Sequence, residues 1–305
     1  MNQRQQVPLS VLDLSILREG ATSGDALAQT TALAQCADSS GYERFWVAEH
    51  HNMPSVACTA PTILIGHLAA LTSRINVGSG GVMLPNHAPL VVAEQFAMLE
   101  ALHPGRIDVG IGRAPGTDQR TAAAVRRSEG ALGAEDFPND LFELMDLLGD
   151  RRFDTTIGDH FKATPAASSY PKVFLLGSSG YSAHLAAKLG LPFGFAHHFD
   201  MGGTFEAAEI YRSRFVPSHI LSEPYMIVTA NVFAADTDEE ALWHAKSSRL
   251  TGYLRRTGRF LPLPSAEDAA RHPDIAEAER MPSSRIVGNG EHVAEQLHQL
   301  VDRVH

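Results

Sequence analysis

The sequence predicts an α/β fold, and among the α/β folds it favours a (β/α)8 TIM barrel. Along the 305 residues, short apolar segments rich in β-formers alternate with helical patterns, which indicates a parallel sheet with helices outside it. Polar residues follow nearly every predicted strand. In a barrel the carboxyl ends of all strands surround one mouth, whereas in an open sheet only those near a switch point converge. The barrel therefore explains the pattern better than a doubly wound open sheet.

The first half of the chain has clear boundary signals. Thr22 and Asp25 have the spacing of a capping box at the start of a helical pattern. Pro89 stands at the beginning of another helix, where proline is tolerated, and His103-Pro104-Gly105 ends it. The predicted strands are Pro8–Leu14, Arg44–Glu49, Ile75–Ser79 and Arg106–Gly112, and the predicted helices are Asp25–Ser39, Pro61–Leu71 and Pro89–Leu102.

The second half has a looser rhythm. The predicted strands are Lys172–Leu176, Phe193–Ala196 and Pro224–Ala234, and the predicted helices are Asp136–Leu148, Ala183–Leu189, Phe205–Phe215, Thr237–Arg249 and Glu291–Val304. The segment Leu254–Ser284 is rich in proline, arginine and charged residues, and we interpret it as a lid. Seven strands are predicted, and the chain ends inside its last helix. We therefore expect a single barrel domain, residues 1–305, without the eighth βα unit.

Composition excludes several classes of function. The net charge of −10 argues against a general binder of nucleic acid or of anionic membranes. The sequence contains no apolar run of about 18 residues, so no membrane span is predicted. The first residues lack the apolar core of a secretory signal. Cys36 and Cys58 have no metal-like spacing and do not indicate a disulfide framework. We expect a cytoplasmic protein without a metal site.

The segment Phe45–Met53, FWVAEHHNM, places Glu49, His50 and His51 at the end of a predicted strand. Histidine accepts or holds a proton near neutral pH, and a neighbouring carboxylate can orient it. A loop in which one histidine only caps hydrogen bonds and the other is solvated is the structural alternative. A metal site is disfavoured, because adjacent ligands on extended chain point apart and no HExxH-type helical pair is present.

Two segments have the composition expected beside a phosphate. GSSGYS, Gly177–Ser182, follows an apolar strand and opens a helix, so its backbone N–H groups could bind an anion. A tight βα turn with a serine N-cap is the alternative. In IDVGIGRAPG, Ile107–Gly116, the glycines leave room for a flat ligand and Arg113 could pair with the same phosphate. Here the alternative is a surface arginine.

The segment INVGSGGVMLPNH, Ile75–His87, supplies another glycine-rich strand end. Gly78, Gly80 and Gly81 lie within four residues of one another. This density indicates close approach of the backbone to a ligand, or a bulge. A loop that needs only flexibility is the alternative.

Four segments together resemble the bacterial luciferase-like flavin monooxygenases, and best the single-chain luciferase-like oxidoreductases. They are AEHHNMP, GSGGVMLPNHAPLVVAEQFAMLEALHPGRID, GIGRAPGTD and LLGSSGYSAHLAAKLGLPFGFAHHF, and the resemblance runs from about Pro8 to Val304. It implies a barrel of the luciferase-like type that uses reduced FMN, supplied by a separate NAD(P)H flavin reductase. Oxygen would add to the flavin, and the resulting C4a-peroxyflavin would oxidise a small organic substrate.

The resemblance also implies roles for individual residues. The implied catalytic residues are His50, which matches the active-site histidine near the isoalloxazine, and Glu49 next to it. Arg113 matches the arginine that binds the flavin phosphate. The bond between Ser79 and Gly80 lies where the family often has a cis non-prolyl peptide. The implied phosphate loop is Gly177, Ser178, Ser179, Gly180 and Tyr181, and the implied ring contacts are Ser79, Gly80, Gly81, Val82 and Asn231.

Other functions stay open at this point. One alternative is an F420-dependent oxidoreductase that transfers a hydride without oxygen, and another is a flavin-binding protein without turnover. Light emission is not implied, because Gly112 stands where luciferase has a cysteine. Family members commonly form homodimers through their second and third helices, and we expect the same here. Nothing in the sequence indicates which organic substrate is used.

Overall fold

The computed structural model describes residues 7–114, 116–126, 136–153, 155–199 and 202–305. The chain divides into two compact units. The described residues of the first lie within Met1–Ser15, Gly24–Asn52 and Val56–Phe174, and those of the second within Ile16–Ser23, Met53–Ser55 and Leu175–His305.

The first unit begins the βα alternation. Its described strands are β1 (Ser10–Asp13), β2 (Arg44–Val47), β3 (Asn76–Met83) and β4 (Ile107–Gly112), and its described helices are α1 (Ser23–Ser39), α2 (Pro61–Leu71), α3 (Pro89–Leu102), α4 (Gln119–Arg126), α5 (Phe137–Leu147) and α6 (Ile157–His160). Successive strands pair in parallel, β1 with β2, β2 with β3 and β3 with β4. The predicted bounds of α2 and α3 are confirmed, because proline marks the first residue of each helix.

Strand β3 is longer than the sequence predicts. It runs to Met83 instead of ending at Ser79, and its register with β4 shifts between Gly80 and Val82. A cis peptide bond joins Gly80 to Gly81, one bond later than expected. The glycine-rich segment is therefore a bulged strand rather than a strand end.

The second unit continues the alternation and adds a small sheet. After β5 (Lys172–Gly177), which begins in the first unit, its described strands are β6 (Phe193–Phe195), β7 (Met226–Val228), β8 (Val232–Ala235) and β9 (Ile286–Asn289), and its described helices are α7 (Gly180–Leu189), α8 (Thr204–Ser213), α9 (Asp238–Arg256), α10 (Ala266–Arg271), α11 (Ile275–Arg280) and α12 (Gly290–Val304). β5, β6 and β7 pair in parallel, and the sheet has the strand order β1 to β7. These seven strands correspond to the seven predicted ones.

The prediction of one long strand over Pro224–Ala234 is wrong. The chain forms β7, leaves the sheet at residues 229–231, and then forms β8, which pairs with β9 in a separate two-stranded sheet. Two side chains fix this departure, since Thr229 donates to the carbonyl of Phe195 and Asn231 donates to that of His198. β9 was not predicted, because the four residues IVGN carry too little periodicity to indicate a strand.

The predicted lid, Leu254–Ser284, is a folded helical segment of the second unit. α9 extends to Arg256, seven residues beyond its predicted end at Arg249, and α10 and α11 follow. Leu254 packs with Leu250 and Ala269 in a buried cluster. Its role as a lid stays a prediction.

Candidate active site

A buried carboxylate, that of Glu49, organises the chain that follows β2 in the first unit. None of the Glu49 side chain is exposed. A buried ionised carboxylate has to be compensated by hydrogen bonds or by charge. Two donors come from the end of β3 and the turn after it: the backbone N–H of Met83 at 2.9 Å and the Nδ2 of Asn86 at 3.1 Å.

Two imidazole rings complete the surroundings of this carboxylate. The Nε2 of His51 lies 2.8 Å from one oxygen, and the Nε2 of His87 lies 2.9 Å and 3.0 Å from the two oxygens. An ionised carboxylate only accepts hydrogen bonds, so both rings are assigned as donors through Nε2. Burial alone would raise the pKa of Glu49, but the hydrogen bond and charge of His87, the Met83 amide and His51 bring it below 4.5.

The main chain at His50 and His51 is held by two contacts within the first unit. Its backbone N–H donates to the carbonyl of Cys58 at 3.3 Å, while the carbonyl of His51 accepts from the hydroxyl of Thr117 at 2.8 Å. His50 as a residue is half-buried. Burial raises the pKa of the neighbouring Cys58 thiol to about 12, so this cysteine is no thiolate nucleophile. The main chain of the two histidines is thus fixed at the N–H of His50 and at the carbonyl of His51.

His87 was not among the predicted site residues, and the contact of Ser79 with a flavin ring stays a prediction. His87 follows the short 3-10 turn Leu84–Asn86, and its place four residues after the end of β3 was the available signal. The buried hydroxyl of Ser79 donates to the carbonyl of Gly110 and accepts from its N–H, both at 3.0 Å. Ser79 therefore fastens β3 to β4. Gly81 and Val82 are buried in β3.

A second buried acid, Asp108 of β4, was also missed. Its carboxylate accepts from the indole Nε1 of Trp46 at 3.0 Å and pairs with the Nε of Arg44 at 3.1 Å. A Cβ added at Gly78 would lie 2.4 Å from the carbonyl oxygen of Asp108, so only glycine fits between β2 and β4 here. Burial raises the pKa of Asp108 to about 6, although the Arg44 charge and the Trp46 hydrogen bond oppose that shift.

As predicted, the segment GSSGYS follows the apolar part of β5 and opens α7. Ser179 is the extended N-cap residue of α7, and its side chain makes no capping hydrogen bond. A Cβ on Gly177 would lie 2.4 Å from the Cβ of Ser182, and one on Gly180 would lie 3.2 Å from Ile210. The first N–H groups of a helix have no partner inside it. This compact turn without a side-chain cap therefore could hold an anion such as a phosphate.

The remaining predicted residues fall in both units. Arg113 follows β4 directly and is half-buried in the first unit, and Pro115 of the same segment lies outside the described residues. Asn231 precedes β8 in the second unit, where its Nδ2 donates to the carbonyl of His198 at 3.2 Å. Tyr181 is exposed in the first turn of α7. The side chain of Asn231 is thus used within its own unit.

Two further features of the described residues concern metals and membranes. These residues contain no group of three or more histidine, cysteine or acidic side chains arranged to hold a metal ion. No helix in this part of the chain is both long and apolar enough to cross a membrane.

Comparison with known protein sequences gives consistent matches. The family model described as luciferase-like monooxygenase matches residues 8–304. A luciferase-like monooxygenase of Escherichia coli (strain K12) is 48% identical over 258 residues, which are 85% of this chain and 76% of that protein. The N-acetyl-S-alkylcysteine monooxygenase of Bacillus subtilis (strain 168) is 39% identical over 300 residues, 96% of this chain and 89% of that protein.

Solved structures confirm the predicted fold class. Apo-MsnO8 is similar with a TM-score of 0.88 and 37% identity, covering 98% of this chain and 90% of its own. The oxygenating constituent of 3,6-diketocamphane monooxygenase from Pseudomonas putida, in complex with FMN, has a TM-score of 0.71 at 18% identity, with coverages of 97% and 89%. An F420-dependent secondary alcohol dehydrogenase has a TM-score of 0.65 at 14% identity, with coverages of 98% and 91%. The last two likenesses show the fold alone.

Proposed function

The chain belongs to the luciferase-like monooxygenase family, and from this premise we propose a flavin-dependent monooxygenase that oxidises a small organic substrate with reduced FMN and O2. The cluster of Glu49, His51 and His87 is the observation that carries the proposal. It places the segment Glu49–His51, which follows β2, against the end of the bulged glycine-rich strand β3. A separate NAD(P)H flavin reductase would supply the reduced flavin, in the cytoplasm.

Two sets of residues would hold FMN. In the first unit, Arg113 would contact the phosphate and Ser79–Val82 of β3 would contact the ring. In the second unit, the turn Gly177–Tyr181 would contact the phosphate and Asn231 would contact the ring. When bound, reduced FMN supplies two electrons, so that one atom of O2 becomes water and the other enters the substrate. The small residues and uncapped helix start of the turn support this assignment.

The chain's own residues would control protons and geometry. His50 would donate or accept a proton at a ring nitrogen close to the reacting atoms. Glu49 is wholly buried and occupied by donors of the chain, so we assign it as a positioning residue rather than one that touches substrate. By holding His51 and the Met83 amide, it fixes the segment that carries His50.

Isotope labelling tests the proposed reaction directly. We expect reduced FMN to bind under anaerobic conditions, followed after admission of 18O2 by one labelled atom in the product. The first substrate to try is N-acetyl-S-methylcysteine, because a relative of 39% identity is named for this class. In His50→Ala, oxidation should fall about 10²- to 10⁴-fold while FMN affinity changes little.

The exposed His244 of α9 provides the matched control, and His244→Ala should retain full activity. Binding of F420 with hydride transfer and without oxygen would replace the proposal by the F420-dependent alternative. Binding of FMN without turnover of any substrate in a broad panel would indicate a flavin-binding protein.

Arg113 is expected to contribute affinity for the flavin phosphate only. A charge-assisted hydrogen bond to an anion is worth about 1.5–3 kcal/mol, so Arg113→Ala should weaken FMN binding about 10- to 100-fold. Riboflavin, which lacks the phosphate, should bind both proteins equally, as measured by fluorescence titration. Arg120→Ala, on an exposed arginine of α4, is the control. An equal loss of affinity for FMN and riboflavin would exclude a contact between Arg113 and the phosphate.

A homodimer through α2 and α3 is part of the proposal. Both helices expose large apolar side chains, among them Ile63 at 77% and Leu102 at 65%. Exposed apolar area of this kind marks interaction surfaces. Light scattering should give twice the chain mass, and Ile63→Asp with Met98→Asp should give a folded monomer. A monomeric native protein would rule the dimer out.

A further inference from the structure

A small cavity in the second unit is bordered by α9, α11 and the chain between α11 and β9. The described residues that line it include three arginines and no acidic residue: Arg249 and Arg256 of α9, and Arg285 directly before β9. Its volume is about 20 Å³, within a recess of about 250 Å³ that is open to solvent. This volume holds one water-sized group. The charge of the lining makes the cavity a candidate site for an anion.

A glycine inside α9 brings the third arginine onto the helix. Glycine destabilises a helix interior relative to alanine, so its presence needs a reason. A Cβ on Gly252 would lie 2.9 Å from the Nη2 of Arg285. Arg285 also donates to Ser248, through Nε to the hydroxyl and through Nη2 to the carbonyl, both at 3.0 Å. Residues three and four apart share a helix face. The guanidinium of Arg285 therefore lies on the face that carries Arg249 and Arg256.

Arg249 has a neutral acceptor where an ion pair could have formed. Its Nη1 donates to the main-chain carbonyl of Glu279 at 3.1 Å. The carboxylate of Glu279 pairs instead with Lys246, and that of Glu277 pairs with Arg280 at 2.6 Å. In the part of the chain that the structure describes, no carboxylate lies within ion-pair distance of Arg249. Its positive charge is thus available to a charged ligand.

A serine hydroxyl adds a second donor to the cavity. The hydroxyl oxygen of Ser283 accepts from the backbone N–H of Arg285 at 3.2 Å and from its Nη1 at 2.9 Å. The described residues offer no acceptor for the Ser283 proton, and none for the Nε and Nη2 of Arg249. O–H and N–H donors that line one cavity match the oxygens of an oxyanion.

We propose that this cavity binds a doubly charged tetrahedral oxyanion, a sulfate or a phosphate group, through Arg249 and Ser283. One oxygen enters the cavity and the others stay in the open recess, because the volume is too small for the whole group. Arg256 and Arg285 keep their contacts within the chain and contribute charge, which favours a dianion over a monoanion. None of these residues is assigned to flavin or substrate, so the inference is independent of the proposed function.

The Nε–H resonance of Arg249 tests binding at this site alone. The whole chain is labelled with 15N-arginine, assigned through Arg249→Gln and titrated with sodium sulfate at constant ionic strength, with chloride as the balancing anion. We expect a saturable shift of the Arg249 resonance with sulfate and none with chloride. Sulfate bound at the GSSGYS turn does not enter this titration, because that turn contains no arginine.

Matched variants separate a built site from general attraction by positive charge. Arg249→Gln should weaken sulfate binding about 10- to 100-fold, followed through the Nε–H of Arg285. Arg255→Gln removes the same charge from an exposed position of α9 outside the cavity and should change the affinity little. Gly252→Leu keeps every charge but fills the cavity, so binding should be lost.

The hydroxyl of Ser283 supplies a finer test. Ser283→Ala should weaken sulfate binding about three- to tenfold, as expected for one lost hydrogen bond. Ser283→Thr keeps the hydroxyl and should bind sulfate as the native protein does. Circular dichroism without sulfate checks that each variant is folded.

Three results would overturn the inference. They are no saturable shift of Arg249 with sulfate, equal losses of affinity in Arg249→Gln and Arg255→Gln, and native affinity in a folded Gly252→Leu protein. Inorganic phosphate and glycerol 3-phosphate then identify the source of the anion. Tighter binding of the ester assigns the site to the phosphate group of a small organic molecule, and binding no tighter than that of phosphate assigns it to a free oxyanion. Both results support the site.

Discussion

Replacing Glu49 by glutamine is expected to lower the free energy of unfolding by about 2–4 kcal/mol and to remove most of the oxidation activity. The native carboxylate accepts hydrogen bonds from Met83, Asn86, His51 and His87. Glutamine has one accepting oxygen and one donating amide group. If the glutamine oxygen keeps the bond from the Met83 N–H, its NH2 group stands where Asn86 and the two rings donate to the other oxygen. The imidazoles can change tautomer in response, but the Nδ2 of Asn86 then faces another donor unless its amide rotates.

The pH dependence of unfolding distinguishes this carboxylate from a merely buried polar group. The folded-state pKa of Glu49 is below 4.5, so its contribution to stability is complete above pH 4.5 and is lost as the pH falls through the lowered pKa. In denaturant unfolding between pH 7 and pH 3, the free energy of unfolding of the native protein should therefore fall toward acid pH. The Glu49→Gln protein should lack this decrease.

Glu239→Gln provides the matched control, since Glu239 is exposed in the first turn of α9 and undergoes the same chemical change. A Glu49→Gln protein with native stability and native activity would show that the cluster around Glu49 positions nothing. Native stability with a large loss of activity would instead favour direct contact of Glu49 with the reacting groups.

The site was only partly predictable from the sequence, for a physical reason. The position of Glu49, His50 and His51 after β2 follows from the local apolar pattern. Their partners do not, because His87 reaches Glu49 through a 38-residue separation that depends on the pairing of β2 with β3. Single-sequence periodicity carries no information about which strand end lies beside another.

The fold shows the same division between local and long-range causes. α2 and α3 were predicted to the residue, because proline and a long apolar pattern define both helices locally. The break between β7 and β8 was missed, because β-forming and apolar residues flank it on both sides. The break is imposed by Thr229 and Asn231, whose partners lie about thirty residues earlier in the chain.

Replacing Arg44 by methionine is expected to lower the free energy of unfolding by about 3–5 kcal/mol above pH 7, the usual result of removing one partner of a buried ion pair. Arg44 and Asp108 are both buried, and methionine retains most of the apolar length of arginine. The loss therefore reports the uncompensated carboxylate of Asp108 more than lost packing. Unfolding by denaturant at pH 8 measures it, with Arg120→Met on α4 as the exposed control.

The sign of the pH effect follows from the raised pKa of Asp108, which is about 6 in the folded protein against 3.8 as its ordinary value. The folded state binds the proton more tightly than the unfolded state, so this group favours folding most below pH 3.8 and progressively less as the pH rises through 6. Arg44 opposes the shift, and its removal raises the pKa of Asp108 further. The difference in free energy of unfolding between the native protein and Arg44→Met should consequently become smaller from pH 8 to pH 5, because Asp108 becomes protonated over this range.

A double variant decides whether charge is the cause. Asp108→Asn removes the titrating group with little change in volume, so Arg44→Met with Asp108→Asn should recover most of the stability lost at pH 8 and should lose the pH dependence as well. If the double variant is as unstable as Arg44→Met at both pH values, the arginine acts through packing against Phe174, over whose ring its guanidinium lies at 5.2 Å. If the double variant regains stability over Arg44→Met at pH 8 but not at pH 5, the role of Arg44 is to neutralise the buried carboxylate of Asp108.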